Sequence, residues 1–420
     1  MDNRARAADI WGMARDCEVL IVGGGLNGPV LALALASAGI GSILLDAEPR
    51  AAMADPAFDG RAYALSLSSR RMLEALGLWA RVGRQAQPIN EIKISDGRAG
   101  EGAAPWFLHF DHDEIDEGPM GHFLEDRFLR AALIAALEAE GRIDYRPGTC
   151  VVGQSLVPGG AEIALADGAR LTGLLLVGCD GRASPVAARA GIARSGWDYG
   201  QTALVAAIAH ERPHRGIAHQ FFMPAGPLAI LPLPGNRSSI VWTERRERAE
   251  AIARLGEEAY LEALRPRFGD FLGEIGLEGA RYCYPLGLSL AASLTGPRLA
   301  LVGDAAHGIH PLAGQGLNLG LRDVAALAET LAGAHRRGLD LGAPDGLAAY
   351  ARWRRTDIAL LAGVTDGVNR LFSTDNPLLR LGRDLGLGLV NRLPSLRRTL
   401  IREAAGLSGD LPVLLRGLPL

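Results

Sequence analysis

RLALVGDAAHGIHPLAGQGLNLGLRD, running from Arg298 to Asp323, says more than any other stretch about how this 420-residue chain folds. Leu299–Val302 is an apolar run of strand length that ends in Gly303-Asp304. The turn Pro311-Leu-Ala-Gly314-Gln315-Gly316 follows, and a helix pattern opens near Asn318. A carboxylate at a strand's carboxyl end, facing the N–H groups of a helix start, suits a ligand with sugar-like hydroxyls and an electron-rich ring edge. The bland alternative is an ordinary strand–turn–helix unit. A second such element far upstream argues against it, because the two together imply a bound dinucleotide.

That upstream element begins at Cys17. Glu18–Val22 reads as a short buried parallel strand, followed by Gly23-Gly24-Gly25-Leu26-Asn27-Gly28 and a helix pattern from Pro29 to about Ala38. Gly23 permits the tight turn, Gly25 lets backbone approach a pyrophosphate, and Gly28 lets helix and strand pack closely. A second strand, Gly41–Leu45, ends in Asp46, where an acid accepts from ribose hydroxyls. The glycine spacing alone is weak evidence; between a strand and a helix, and followed by Asp46, it is strong. The acid disfavours a 2′-phosphate, so the ligand resembles FAD or NAD more than NADP.

Composition narrows the class. Hydrophobic content of 48% and charged content of 22% describe a globular chain, long enough for two joined domains. A net charge of −3 argues against a general nucleic-acid binder. Lys93 is the only lysine, so an arginine here is not read as phosphate-seeking on type alone. Cys17, Cys150, Cys179 and Cys283 lack CxxC spacing, which points to free thiols and away from a disulfide-reducing flavoenzyme. The longest apolar run, Pro29–Leu45, is broken by glycine, and no signal peptide is visible, so a cytoplasmic chain is expected. Residues before Met13 are expected to be a dispensable extension.

Ala57–Trp79 reads as a loop and then a helix, with Arg61 before the apolar stripe; Phe123–Leu137 reads as a helix with Arg127 near its start. Glu162–Leu165 and Leu171–Leu176 look like strands, the second running into Gly178-Cys-Asp180-Gly181-Arg-Ala-Ser184, where the serine can cap the next helix. Gln201–Ala209, Ala218–Met223, Leu228–Pro232 and Ser238–Thr243 alternate as an antiparallel sheet, and a charged helix is expected from Glu244 to Arg267. The dinucleotide pieces therefore flank a sheet insertion. The fold class expected is α/β: a Rossmann-like domain with an inserted, mainly antiparallel sheet and a helical carboxyl-terminal region. The expected bounds are 13–183 for the first dinucleotide part (about 80–112 serving the substrate side), 184–280 for the substrate domain, 281–345 for the return segment and 346–420 for the helices.

Four motifs in this order resemble the FAD-dependent aromatic hydroxylases of the para-hydroxybenzoate-hydroxylase type. They are the glycine fingerprint with Asp46, the segment at Arg61, Asp180-Gly181, and Gly303-Asp304. The likeness is strongest to the ubiquinone-biosynthesis monooxygenases, through DGRAYALSLSSRRMLEALGLW (Asp59–Trp79), GPLAILPLPGNRSSIVWT (Gly226–Thr243), HPLAGQGLNLGLRD (His310–Asp323) and the tail Arg402–Gly417.

The resemblance implies that Gly23, Gly25, Gly28 and Asp46 hold the adenosine diphosphate half of FAD. It implies cofactor contacts at Arg61 and Arg127, a pyrophosphate and reduced-nicotinamide role for Asp180 and Gly181, and a ribityl acceptor in Asp304, which follows Gly303. Pro311, Gly314, Gln315, Gly316, Leu317 and Asn318 would border the isoalloxazine, with the N–H groups at Gly316–Asn318 facing its N1 and O2 side. The implied reaction inserts one oxygen atom from O2 into the ring of a polyprenylated phenol through a flavin hydroperoxide, fed by NAD(P)H or a reductase system. A dry, apolar chamber is expected, with no essential side-chain nucleophile. Proteins of a ubiquinone-biosynthesis complex are the implied partners. The family's arginine seven positions after Asp180 is Ala187 here, with Arg189 nearby, so either Arg189 substitutes or the electron donor differs.

His307, His310, His210, His214 and His219 lack metal-ligand spacing and are read as solvated or locally hydrogen-bonded, and no metal is expected. The leucines between Asn376 and Arg402, beside Arg380, Arg383, Arg392, Arg397, Arg398 and Arg402, are read first as amphipathic helices packed on the flavin domain. The alternative is a peripheral patch for the inner face of the plasma membrane. Other functions compatible with the chain are a non-catalytic flavoprotein scaffold and a flavin-dependent reductase; a halogenase is disfavoured because Lys93 lies outside the motifs.

Overall fold

The computed structural model describes residues 15–56, 60–100, 102–373 and 377–420. The expected start at Met13, and Asp59 of the quoted segment, lie outside the described residues.

A six-stranded sheet lies at the centre, in the order Thr295–Gly296, Leu299–Leu301, Leu175–Gly178, Val19–Val22, Ser42–Asp46, Ile143–Pro147. All neighbours are parallel except the edge pair Thr295–Gly296 and Leu299–Leu301. Its strands are apolar at nearly every position because both faces are covered. Val19, Ile21 and Leu44 pack with Val30, Leu31, Val324 and Leu327 of the helices Asn27–Ser37 and Gln315–Arg336. Leu20, Ile43 and Leu45 point the other way, against Ile163 and Leu171 of a three-stranded antiparallel sheet. Side chains this completely removed from water contribute roughly 1.5–3 kcal/mol each.

Register then does the functional work. Val22 lies opposite both Leu45 and Gly178, and Gly178 opposite Leu301, so four strands end level with one another. Gly23, Asp46, Cys179 and Val302 therefore emerge along one edge, the carboxyl edge where open α/β sheets bind ligands.

A second sheet has eight strands: His307–Gly308, Ile275–Ala291, Arg194–His210, Arg237–Arg245, Gly226–Leu233, Ile217–Met223, Glu91–Arg98 and Gly102–Asp111. Its pairs are antiparallel except Ile217–Met223 with Glu91–Arg98. His307–Gly308 pairs with Ser289 and Leu290, only three residues past Asp304. The chain thus passes from the ligand edge of one sheet straight into the rim of the other.

Several local expectations change. Ala62–Ser66, taken as loop, is a strand paired with Gly121–Glu125, and the helix starts only at Leu67 with Ser66 as its cap. Arg61 accordingly precedes a strand. Residues 123–125 complete the partner strand, so the next helix is Asp126–Ala139. Leu171–Leu176 divides into Arg170–Gly173 and Leu175–Gly178, which belong to different sheets. The charged helix breaks into Arg246–Ala253 and Glu257–Phe268, the second opening after Gly256. Ile275–Ala291 carries Gly, Arg and Tyr on a largely accessible strand, so no clean alternation announced it. The carboxyl-terminal helices are Pro344–Phe372, Pro377–Arg392 and Pro394–Ala404. No helix among the described residues is long and apolar enough to cross a membrane.

Candidate functional site

The first station is the glycine loop. Gly23 has φ +111, and a Cβ there would lie 2.3 Å from the Cys179 carbonyl oxygen, so loop and neighbouring strand end touch through backbone alone. A Cβ on Gly28 would lie 1.9 Å from the Gly23 carbonyl oxygen, which is the close helix–strand packing expected of it. Gly25 differs: nothing stands within 4 Å of its would-be side chain, leaving open space in front of the backbone. Asp46 accepts from the N–H groups of Gly24 and Glu48.

The second station is the Gly303-Asp304 turn. Gly303 has φ +63, and any Cβ would strike the Asn27 side-chain amide at 2.1 Å, so the turn sits directly on the glycine loop. The Asp304 carboxylate is 46% exposed, with the Arg182 guanidinium 3.8 Å away. Arg194 donates to the carbonyls of Asp304 (3.1 Å) and Ala305 and to the Ser289 hydroxyl, tying the turn to the large sheet. From below, fully buried Asp323 accepts from Gly303 N–H (3.0 Å), His307 Nε2 (2.5 Å) and Arg354 Nε (2.8 Å). Burial works to raise the Asp323 carboxyl, yet the charges of His307 and Arg354 hold it below the usual range. The turn is clamped from both sides while its carboxylate stays available.

The third station is the turn Pro311–Gly316. Gly314 has φ +64 and packs on the Ala64 methyl group, and Gly316 faces open space. The Asn318 amide takes the Ser66 N–H (3.0 Å) and the Ser69 hydroxyl (2.8 Å) and donates to the Ala64 carbonyl (2.8 Å). That locks the start of helix Gln315–Arg336 to the strand Ala62–Ser66. Leu312 joins Phe222 and Phe372 in an apolar cluster, the two rings 4.0 Å apart.

Asp180 is held by its own loop. Its carboxylate accepts from the Ser184 hydroxyl (2.6 Å) and Val186 N–H (2.8 Å), and Ser184 in turn caps Pro185–Arg189 through Ala187 N–H (3.0 Å). Arg189 reaches Gln154 and the Val151 carbonyl of the three-stranded sheet; it is Arg182 that lies beside Asp304. Arg61 and Arg127 meet at an acidic junction, Arg61 with Asp126 (3.2 Å) and Arg127 with Glu125 (2.8 Å).

The histidines are less solvated than expected. His210 and His214 are hydrogen-bonded locally, to the Arg212 and Leu233 carbonyls. His307 and His310 are 1% and 0% exposed. Sequence reasoning missed Arg182, Arg194, the Asp323–Arg354 pair and Asn27. Asp323 closes the diagnostic stretch and Asn27 sits inside the fingerprint, so both were within reach; nothing in the sequence distinguished Arg194 from the many other arginines.

The site fits a flavin dinucleotide: open backbone at Gly25, a carboxylate at the end of the second strand in Asp46, a half-exposed carboxylate at Asp304 and an open helix start at Gly316. The comparisons agree. The FAD binding domain family matches residues 16–360. Ubiquinone hydroxylase UbiL of Rhodospirillum rubrum is 45% identical over 412 residues, covering 96% of this chain and 93% of that one. The 3-demethoxyubiquinol 3-hydroxylase of Escherichia coli is 33% identical over 392 residues, covering 93% and 98%. Among solved structures, p-nitrophenol 4-monooxygenase PnpA of Pseudomonas putida superposes with a TM-score of 0.78 over 95% of this chain and all of its own, at 19% identity, which speaks to the fold alone.

Proposed function

This chain belongs to the FAD binding domain family, and from that premise we propose that it is an FAD-dependent monooxygenase hydroxylating the ring of a polyprenylated phenol in ubiquinone biosynthesis. The observation that carries the reading is the convergence of three separated sequence stations, Gly23–Gly28, Gly303-Asp304 and Pro311–Gly316, around open backbone and one half-exposed carboxylate.

In this reading Gly23, Gly25, Gly28 and Asp46 hold the adenosine diphosphate half, and Asp304 accepts from the ribityl hydroxyls. Pro311 and Gly314–Asn318 border the ring system, where the first turn of a 22-residue helix offers positive potential to its electron-rich edge. Arg61 and Arg127 approach the cofactor from an acidic junction that fixes their direction. Asp180 serves through the turn it stabilises, carrying Gly181 and Arg182 to the pyrophosphate side. Bound FAD supplies the activation of O2. The protein's share is position and dryness: Leu312, Phe222 and Phe372 exclude water beside the ring-facing turn. The eight-stranded sheet is the substrate side, and NAD(P)H or a reductase system the source of electrons.

Two experiments test this. Purified yellow protein given a prenylated phenol and a reductant consumes O2 and releases a product heavier by one oxygen atom; O2 uptake that yields only hydrogen peroxide would count against the reaction. Asp304→Ala emerges largely free of flavin, and full occupancy in that variant would overturn the ribityl assignment.

A further inference from the structure

His310 is the one described histidine whose two ring nitrogens are both buried and both without a hydrogen-bond partner among the described residues. A polar group left so in a folded interior is costly, and such a group marks a strained, catalytic or water- or ion-binding position. Its place is specific. His310 immediately precedes Pro311 and stands between two apolar clusters: Ile309 on one side packs with Leu288, Leu319 and Ile358, and Leu312 on the other with Phe222 and Phe372. The ring is edge-on to Tyr199, centroids 5.2 Å apart, and the Tyr199 hydroxyl is already spent on Asp366 (3.0 Å). Burial, aided by the Arg182 charge and opposed by Asp366, pushes His310 down to about 4, so the ring is neutral in ordinary buffers. A neutral imidazole offers one N–H and one bare nitrogen, and the bare nitrogen can accept from a hydroxyl.

We propose that His310 orients the substrate, its bare nitrogen accepting the hydrogen bond of the phenolic hydroxyl. The inference rests on the phenol-hydroxylase reading above and adds the residue that selects a phenol over any other flat aromatic. Because the ring binds protons weakly, it polarises the O–H bond without removing the proton, and the hydroxyl oxygen gains electron density that it shares with the ring carbon beside it.

The test is a titration of flavin-loaded protein with 2-prenylphenol and with its methyl ether, followed through the flavin absorbance. Wild type binds the phenol at least roughly tenfold more tightly than the ether, since only the phenol can donate. His310→Leu loses roughly ten- to hundredfold for the phenol and leaves the ether unchanged, while His310→Gln, whose amide oxygen still accepts, recovers part of the loss. Equal affinity of wild type for the two compounds overturns the proposal, and so does a parallel loss of both in His310→Leu. Should His310→Leu not retain flavin, the wild-type ratio of the two affinities still decides. A flavin-loaded wild type that binds neither compound removes the phenol reading itself, and the role of His310 falls with it.

Discussion

Asp323 is a small residue with a large share of the architecture. Its carboxylate is fully buried yet charged, because His307, Arg354 and the Gly303 N–H occupy it from three directions. A buried ion pair gives little net stability over apolar packing, but removing one partner strands the other, at roughly 3–5 kcal/mol. Asp323→Asn keeps the shape and loses the charge facing Arg354. It is expected to lower stability by roughly 3 kcal/mol in urea unfolding and to weaken FAD binding, since the Gly303-Asp304 turn loses its lower clamp. An unchanged unfolding midpoint would show that the clamp carries no such load. At this scale the sequence was readable where a residue type has one job at one spacing: the glycines, Asp46 and Asp304 stand where their spacing put them. Arg194 was invisible for a physical reason. It acts by donating to main-chain carbonyls, which leave no side-chain signature in the sequence, and it is one among 44 basic residues that are nearly all arginine.

Among the elements, the helices Pro377–Arg392 and Pro394–Ala404 show how a correct pattern can hide two different uses. The leucine spacing announced helices, and helices formed. The arginines beside them divide. Arg383 is buried in an ion pair with Asp96 of the large sheet (2.6 Å) and lies over the Phe372 ring (5.2 Å), while Arg397 pairs with Glu114 (2.8 Å). Both are turned inward, so they serve the packing reading and cannot line a membrane patch. The side chain of Arg380 lies outside the described residues. Arg398 remains exposed near Leu393 and Leu396, which are 44% and 40% exposed. We infer that any bilayer contact uses this smaller face. Arg383→Met should therefore destabilise the protein by roughly 3–5 kcal/mol, whereas Arg398→Gln should leave its melting point unchanged and reduce flotation with anionic vesicles at low salt. The proposal of a membrane-facing role fails if wild type does not float with such vesicles, or if Arg398→Gln floats equally well. Strands such as Ala62–Ser66 escaped the sequence because five residues carry too little alternation; only pairing with Gly121–Glu125 makes them strands.

At the scale of the whole molecule its two largest sheets meet at a seam, and this arrangement explains both what could be read and how the protein should respond to acid. The parallel sheet was legible because its strands are apolar at almost every position and end in punctuating glycines and acids. The larger sheet was legible only in its central hairpins, since its rim strands owe their state to neighbours distant in sequence, Ile275–Ala291 to Arg194–His210 above all. Three histidines sit at separate points of this frame. His122 lies edge-on to Trp79 in the small sheet, His219 packs against Phe271 on the large one, and His310 stands at the seam. Burial pushes each down to about 4. In the unfolded chain each takes up a proton near pH 6.5, in the folded protein only near 4, so between those values the unfolded state holds more protons. Stability is complete above about pH 6.5 and falls as the medium is acidified toward 4, by up to about 1.4 kcal/mol per pH unit for each histidine. The depressed Asp323 acts in the same direction at lower pH, its contribution vanishing as the pH drops through its folded value. Urea midpoints measured from pH 7 to pH 5 should fall steadily, and replacing His122 and His219 with glutamine should flatten the slope, leaving the part due to His310 and to His210, which burial also lowers. A level profile across that range would mean that these rings are open to water in the folded state.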